Sequence, residues 1–352
     1  MLQIYLPIAE VTINVATLLI ISVVVGFFAG LLGIGGGFLL TPILIFLGIP
    51  PIYAVANGAN NILAASVSGT LGHWFKDQLD IKMGLLIVAG GILGSIFGII
   101  LFKFFIAQGI VNNIISLMYC ALLTSIGISM LIESLIEIRR IKLNRFIRRK
   151  LHKHYWLHNL PFKIRIHKSK LYISVIPPIF FGILVGILSS MLGVGGGFLL
   201  VPIMIYILGM PARLVAGTSL FVMIFIMIIV IFLHALNLNT VDILLVMILV
   251  VGSVIGAQLG TKIGSRLRSE ELRAMMSILV LIFGFKFGYD LLFHKIIPSA
   301  DISTTAKPID MGMLNDFVLY ASQNFPGSYA ITSMLIAIIV GIIAAFSFKR
   351  FL

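Results

Sequence analysis

The chain has 352 residues, 60% of them hydrophobic and 11% charged, with a mean hydropathy of +1.16. Soluble domains average about 25% charged residues, so this composition leaves no room for a sizeable soluble domain. The formal charge of +13 is concentrated in residues 139–171, which hold 12 Lys/Arg and no acid, against 13 basic and 12 acidic residues elsewhere. That pattern argues against a nucleic-acid-binding surface and points to one basic loop between membrane segments, better suited to anionic lipid.

Apolar runs of roughly 20 residues, enough to cross a bilayer, recur along the chain. They are continuous rather than alternating, which argues against a transmembrane barrel. The expected fold class is all-α, a polytopic helical membrane protein. No basic region or small-residue cleavage site opens the sequence, so the first apolar run is read as retained. The single cysteine, Cys120, lies in an apolar run and can build neither a disulfide framework nor a thiolate metal site.

The first run, residues 11–32, ends at a glycine break, Gly33-Ile34-Gly35-Gly36-Gly37. A short apolar arm follows at 38–47, closed by the turn Gly48-Ile49-Pro50-Pro51, since proline lacks a donor and restricts its predecessor. A longer arm covers 52–74. A polar link, 75–82, carries Lys76, Asp77 and Asp80. Helices are predicted at 83–105 and 111–137, and the basic loop closes the half.

The second half repeats this order. An apolar run, 171–192, reaches the break Gly193-Val194-Gly195-Gly196-Gly197. A short arm follows at 198–208, then a turn at 209–211, a long arm at 212–234, a link at 235–240, and helices at 241–263 and 271–293. Residues 33–42 and 193–202 agree at eight of ten positions. Gly90-x3-Gly94-x3-Gly98 matches Gly252-x3-Gly256-x3-Gly260, a small-residue stripe that lets helices approach closely. The division is thus 1–138 first membrane repeat, 139–171 basic cytoplasmic loop, 172–294 second membrane repeat, 295–328 polar extracytoplasmic segment and 329–352 an additional C-terminal helix.

Charge sets the expected orientation. The basic loop, the cluster Lys262, Arg266, Arg268 and Arg273, and Lys349-Arg350 belong inside. The link 235–240, the segment 295–328 and the N-terminus belong outside. The halves then enter from opposite sides, the inverted-topology arrangement of many transporters. Parity does not decide whether each broken pair spans or re-enters.

The duplicated G-x-G-G-G-F-x-x-x-P motif, the Gly-x3-Gly-x3-Gly helices and the basic connector resemble the TauE/SafE family of sulfite exporter-like permeases. The resemblance covers about residues 14–293. It implies a permease of the bacterial cytoplasmic (inner) membrane that carries a small anion, sulfite or an organosulfonate. The long basic loop and the appended helix depart from the commoner pattern.

Glycine triplets are poor helix formers, costing about 1 kcal/mol per residue relative to alanine. In matching places of two halves they suggest unwound backbone around a site. The arms that follow begin with unpaired N–H groups and a partial positive charge, which suits an anion. Gly35, Gly36, Gly37, Phe38, Gly195, Gly196, Gly197 and Phe198 are therefore substrate-binding candidates; tight helix packing or a kink is the bland alternative. Asn60 and Asn61 near the start of the first long arm, and Thr218 and Ser219 in the second, are neutral donors able to coordinate an anion or satisfy helix ends. Asn57 aligns with Gly217. His73 and His234 end the long arms and are candidates for proton coupling, or simply interfacial residues. Gln258 lies among helix glycines. Lys286 and Asp290, four apart, can pair.

His152, His154 and His158 are loosely spaced in the basic loop, with no acid or cysteine nearby, and read as solvated rather than metal-binding. No phosphate loop follows the glycines, and no nucleophile–base pair suggests an enzyme. No cofactor or metal is expected. The expected partners are a small anion and membrane lipids, anionic lipid at residues 139–171 among them, with no nucleic acid. A secondary carrier leads over a passive anion channel or a non-transporting membrane subunit.

Overall fold

The computed structural model describes residues 3–32, 37–142, 161–264, 269–293 and 312–349. Gly33, Gly35, Gly36, most of the basic loop with His152, His154 and His158, and Arg266 and Arg268 lie outside the described residues. The chain is all-α apart from two small hairpins. β1 (Gln3–Leu6) and β2 (Val11–Asn14) precede α1 (Val15–Leu32), α2 (Gly37–Phe46), α3 (Pro51–Phe75), α4 (Ile81–Ala107) and α5 (Val111–Lys142). β3 (Lys163–Ile166) and β4 (Leu171–Ser174) precede α6 (Ile176–Leu192) and α7 (Gly197–Pro202), which runs on through a π-helical turn (Ile203–Ile207). Then come α8 (Ala212–Leu238), α9 (Ile243–Gly264) and α10 (Ser269–Leu292), and finally α11 (Gly312–Asn324) and α12 (Pro326–Lys349).

Five of the described helices are long and apolar enough to cross a membrane: Ile81–Ala107, Val111–Ile136, Arg213–Leu238, Ile243–Gly260 and Pro326–Ser347. The chain is a multi-pass membrane protein. α3 is as long but carries Asn57, Asn60 and Asn61, all buried.

Two differences from the sequence reading stand out. Each half opens with an antiparallel hairpin rather than a plain helix entry. Its register pairs Leu6 with Val11 in one copy and Ile166 with Leu171 in the other. The last turn residue has a positive φ of 53° in both, at Glu10 and Lys170. The second hairpin takes up the end of the expected basic loop and the start of the expected apolar run. In addition, α11 lies within the segment expected to be merely polar.

Corresponding elements pack reciprocally. α1 lies along α9, and α4 along α6. The cause is the glycine stripes: a Cβ on Gly94 would collide with the Ile183 carbonyl, and one on Gly256 with the Val23 carbonyl. α5 pairs with α10, Tyr119 stacking on Phe287 with ring centroids 5.3 Å apart. α3 packs on α8 and runs antiparallel to it. The start of α3 is beside the link that ends α8, with the Asn57 side chain donating to the Thr240 carbonyl at 3.2 Å. The end of α3 is beside the start of α8, where a Cβ on Gly217 would meet His73 Cβ at 2.8 Å.

Each broken pair returns to the face it left. α6 departs from β4, and the turn after the π-helical segment comes back to it: a Cβ on Gly209 would sit 3.9 Å from Leu171. Ile49, in the turn after α2, is buried in the same cluster as Leu6 and Val11 of the first hairpin.

α12 lies against α3, α8 and α9. It follows α3 from end to end: Tyr329 accepts the Ile243 N–H at 3.1 Å, Gly341 packs on Ala64, and Phe346 approaches Phe75, centroids 6.5 Å apart.

Candidate functional site

The second glycine break is an interior loop. Gly193 ends α6 with φ 62°, and its N–H donates to the Ser189 carbonyl at 2.8 Å. Gly195 and Gly196 have φ 77° and 54°, left-handed values that side chains rarely adopt. The Gly196 carbonyl starts α7 by accepting the Leu199 and Leu200 N–H groups at 3.0 and 2.8 Å. Residues 193–196 are all buried.

The loop is gripped by both halves. The Thr41 hydroxyl on α2 donates to the Gly193 carbonyl at 3.5 Å, and the Tyr119 hydroxyl on α5 donates to the Leu192 carbonyl. A Cβ on Gly193 would collide with the Val55 carbonyl of α3. One on Gly195 would lie 2.8 Å from Ile62 Cγ2, and one on Gly196 2.5 Å from Val185 Cγ1. Close packing is therefore a role these glycines fill. In this arrangement α3, α6 and α8 cover the loop.

Several buried polar atoms nearby have no hydrogen-bond partner: Ser189 Oγ, Asn60 Oδ1, Ser66 Oγ and His234 Nδ1. Such atoms cost about 1–3 kcal/mol each when left unsatisfied. Ser189 is the one placed at the loop, its Oγ 3.6 Å from where a Gly196 Cβ would be. The sequence reading missed Ser189. Its signal was a Ser189-Ser190 pair, separated by four residues from the glycine triplet, in an otherwise apolar run.

The other expected site residues are held in separate places. Gly37 opens α2 and Gly197 opens α7; Phe38 is in α2, and Phe198, half-buried, is in α7. Asn61 pairs with the Ser253 hydroxyl of α9, whereas Asn60 Nδ2 reaches only the Ala56 carbonyl at 3.5 Å. The Thr218 hydroxyl donates to the Leu214 carbonyl at 2.6 Å and accepts the Asp80 N–H at 3.0 Å. Ser219 Oγ donates to the Ala216 carbonyl at 3.0 Å. His73 Nδ1 lies 3.0 Å from Gln78 Oε1, half-buried at the end of α3. His234 is fully buried, Nε2 2.9 Å from the Ser190 carbonyl and its ring edge-on to Phe102. Gln258 is half-buried on α9.

Lys286 and Asp290 form no ion pair. The Lys286 ammonium lies over the Phe46 ring, 4.0 Å from its centroid, and the ion pair found among the described residues is Lys168–Asp77 at 2.5 Å. A desolvated aromatic face attracts a lysine without the carboxylate. The other half differs: Tyr206, equivalent to Phe46, donates to Glu133, the equivalent of Asp290, at 3.0 Å.

The described residues contain no group of three His, Cys, Asp or Glu able to hold a metal ion. The arrangement joins the two halves through a buried, broken helix.

The family model described as "Sulfite exporter TauE/SafE" matches residues 18–287. The chain is 26% identical over 271 residues to "Probable membrane transporter protein YjnA" of Bacillus subtilis (strain 168), covering 77% of this chain and 98% of that protein. It is 26% identical over 216 residues to "Probable membrane transporter protein YunE" of the same organism, covering 58% and 73%. No solved structure matches the chain. With its multi-pass helical fold and a match spanning both glycine breaks, this chain is a membrane transporter and belongs to the sulfite exporter TauE/SafE family.

Proposed function

We propose that the chain is a secondary transporter that moves a small anion, sulfite or an organosulfonate, across the cytoplasmic membrane by alternating access between two inverted repeats. The observation that carries this reading is the antiparallel, reciprocal packing of corresponding elements around a buried broken helix. Equivalent parts that face opposite ways give a site two equivalent exits. The backbone amides at Gly195, Gly196, Gly197 and Phe198, with Ser189, and the matching Gly35, Gly36, Gly37 and Phe38, hold the anion without a permanent buried cation. A fixed lysine or arginine would bind a dianion more tightly and release it more slowly. Asn60 supplies a further neutral contact. Proton coupling through His234 or His73 remains part of this proposal, as do Gln258, Lys286 and Asp290 as residues that set the coupling.

The basic face supports the orientation. The second hairpin carries Lys163, Arg165, Lys168 and Lys170, while the first carries Glu10 and no basic residue. The second hairpin, the basic loop and the C-terminus lie inside; the first hairpin lies outside.

The test is uptake of labelled sulfite, taurine and sulfoacetate into proteoliposomes with an imposed pH gradient. Accumulation above equilibrium is the expected result. Equilibration without accumulation would establish a passive channel, and no flux of any of these anions would defeat the transport reading.

A further inference from the structure

Asp80 and Asp242 occupy equivalent positions at the starts of α4 and α9, and both are buried. Each is the N-terminal cap of its helix: Asp80 Oδ1 accepts the Met83 N–H at 3.2 Å, and Asp242 Oδ1 accepts the Leu244 and Leu245 N–H groups at 3.0 and 3.3 Å. Capping alone needs nothing from the other half. Yet each aspartate is also bonded twice across the repeat boundary. Asp242 Oδ2 accepts the Ile8 N–H of the first hairpin at 3.2 Å, and the Asp242 N–H donates to Asn57 Oδ1 of α3 at 2.8 Å. Asp80 Oδ2 accepts the Ser169 hydroxyl of the second hairpin at 2.5 Å, and the Asp80 N–H donates to the Thr218 hydroxyl of α8 at 3.0 Å.

We infer that these are two gates: the Asp242–Ile8–Asn57 clasp closes one face of the protein, and the Asp80–Ser169–Thr218 clasp closes the other. The inference rests on the alternating-access reading and assigns it named parts. Each clasp ties α9 or α4 of one half to the hairpin and the long arm, α3 or α8, of the other. Those are the contacts that must break at a face for the halves to part there. Both clasps are made here and the second glycine loop is buried, so the arrangement is closed at both faces. The bond from each hairpin is made to a carboxylate, which is among the stronger kind, and it weakens once water competes for its partners. Asp80 and Asp242 are positioning residues; neither touches the solute.

The test uses full-length protein in nanodiscs, where both faces meet water, in a Cys120→Ala background. Val55→Cys and Val215→Cys are equivalent buried probes, one beside each clasp. Asp242→Ala is expected to raise maleimide labelling of Val55→Cys by about tenfold or more, the population shift that follows loss of a charge-assisted hydrogen bond, and to leave Val215→Cys protected. Asp80→Ala gives the converse. Because a buried aspartate is also a cap, Ser169→Ala with Thr218→Val supplies a milder variant that keeps Asp80 and unlocks only the second face. Labelling that rises at both probes in every variant, or at neither in the folded Ser169→Ala, Thr218→Val protein, would overturn the gates. The labelling needs no substrate. Face-selective opening in a protein that carries none of the sulfur anions would sink the substrate assignment and spare the gates.

Discussion

Gly94 of α4 lies so close to Ile183 of α6 that an added Cβ would collide with the Ile183 backbone oxygen. The relation is repeated between Gly256 of α9 and Val23 of α1. A backbone atom cannot turn aside as a flexible side chain can, so the two helices must separate to admit a methyl group. In a membrane, where lipid is as apolar as the helix surface, such packing supplies much of the association. Gly94→Ala is expected to destabilise the protein by about 1–3 kcal/mol. Gly72 is the internal control, because a Cβ there meets nothing within 4 Å. Gly72→Ala should raise stability by about 0.4–1 kcal/mol. Thermal unfolding in one detergent compares the two, and equal effects would refute the packing account.

The glycine pattern that makes these contacts was legible in the sequence because Gly-x3-Gly-x3-Gly repeated in both halves has few other uses. The hairpins were not. Residues 163–174 alternate only briefly and sit between a basic run and an apolar one, so each half of the hairpin joined its neighbour's pattern. Thr218 and Asn57 were visible as buried polar residues, yet their partners Asp80 and Asp242 are 138 and 185 residues away. No local spacing predicts a bond that the folding of two repeats creates. Asp80 and Asp242 could have been noticed as matching acids flanking the aligned glycine helices. Without their partners they looked like ordinary link residues.

Asn60 and Asn61 are neighbours with opposite circumstances, which makes them separable. Asn61 Oδ1 holds the Ser253 hydroxyl of α9, whereas Asn60 Oδ1 is buried with no partner. Asn61→Ala should cost about 1–2 kcal/mol of stability, the value of a buried hydrogen bond and its orphaned partner. Asn60→Ala removes an acceptor that is already unsatisfied, so its stability should change little. If Asn60 contacts the solute, its KM rises instead. Unfolding and uptake measured on the same two variants decide this: a stability loss at Asn60 as large as at Asn61 would assign both to packing.

The glycine loop should show a graded response. A Cβ on Gly193 meets the Val55 backbone, whereas one on Gly195 meets the side chains of Ile62 and Met223. Both positions also have left-handed backbone, which costs an alanine roughly 1–2 kcal/mol. Gly193→Ala should therefore unfold at a lower temperature than Gly195→Ala. Pairing Gly195→Ala with Ile62→Val, which removes Cδ1 at 3.2 Å but leaves Cγ2 at 2.8 Å, should recover a small part of the loss. No comparable rescue is available at Gly193, and recovery there by a side-chain change would contradict the geometry.

α12 tests how far the transport core depends on what lies outside the family match, which ends at residue 287. A Cβ on Gly341 would come within 2.5 Å of the Ala64 carbonyl and 3.2 Å of Val67 Cβ. Gly341→Leu therefore forces α12 away from α3. The contact matters because Ala64 is one turn beyond Asn60 on α3, and because Asn61 on that helix is bonded to α9, which α12 also touches. Displacing α12 should lower the unfolding temperature while the α1–α9 and α4–α6 pairs, held by their own glycine contacts, keep the core assembled. Tyr329→Phe removes the hydroxyl that accepts the Ile243 N–H but keeps the ring, and should cost only about 1 kcal/mol. Size-exclusion profiles with unfolding curves measure both. A Gly341→Leu protein that aggregates as α12 is displaced would show that the core requires this helix to fold; a monodisperse protein of lowered stability would show that α12 clamps an otherwise complete transporter.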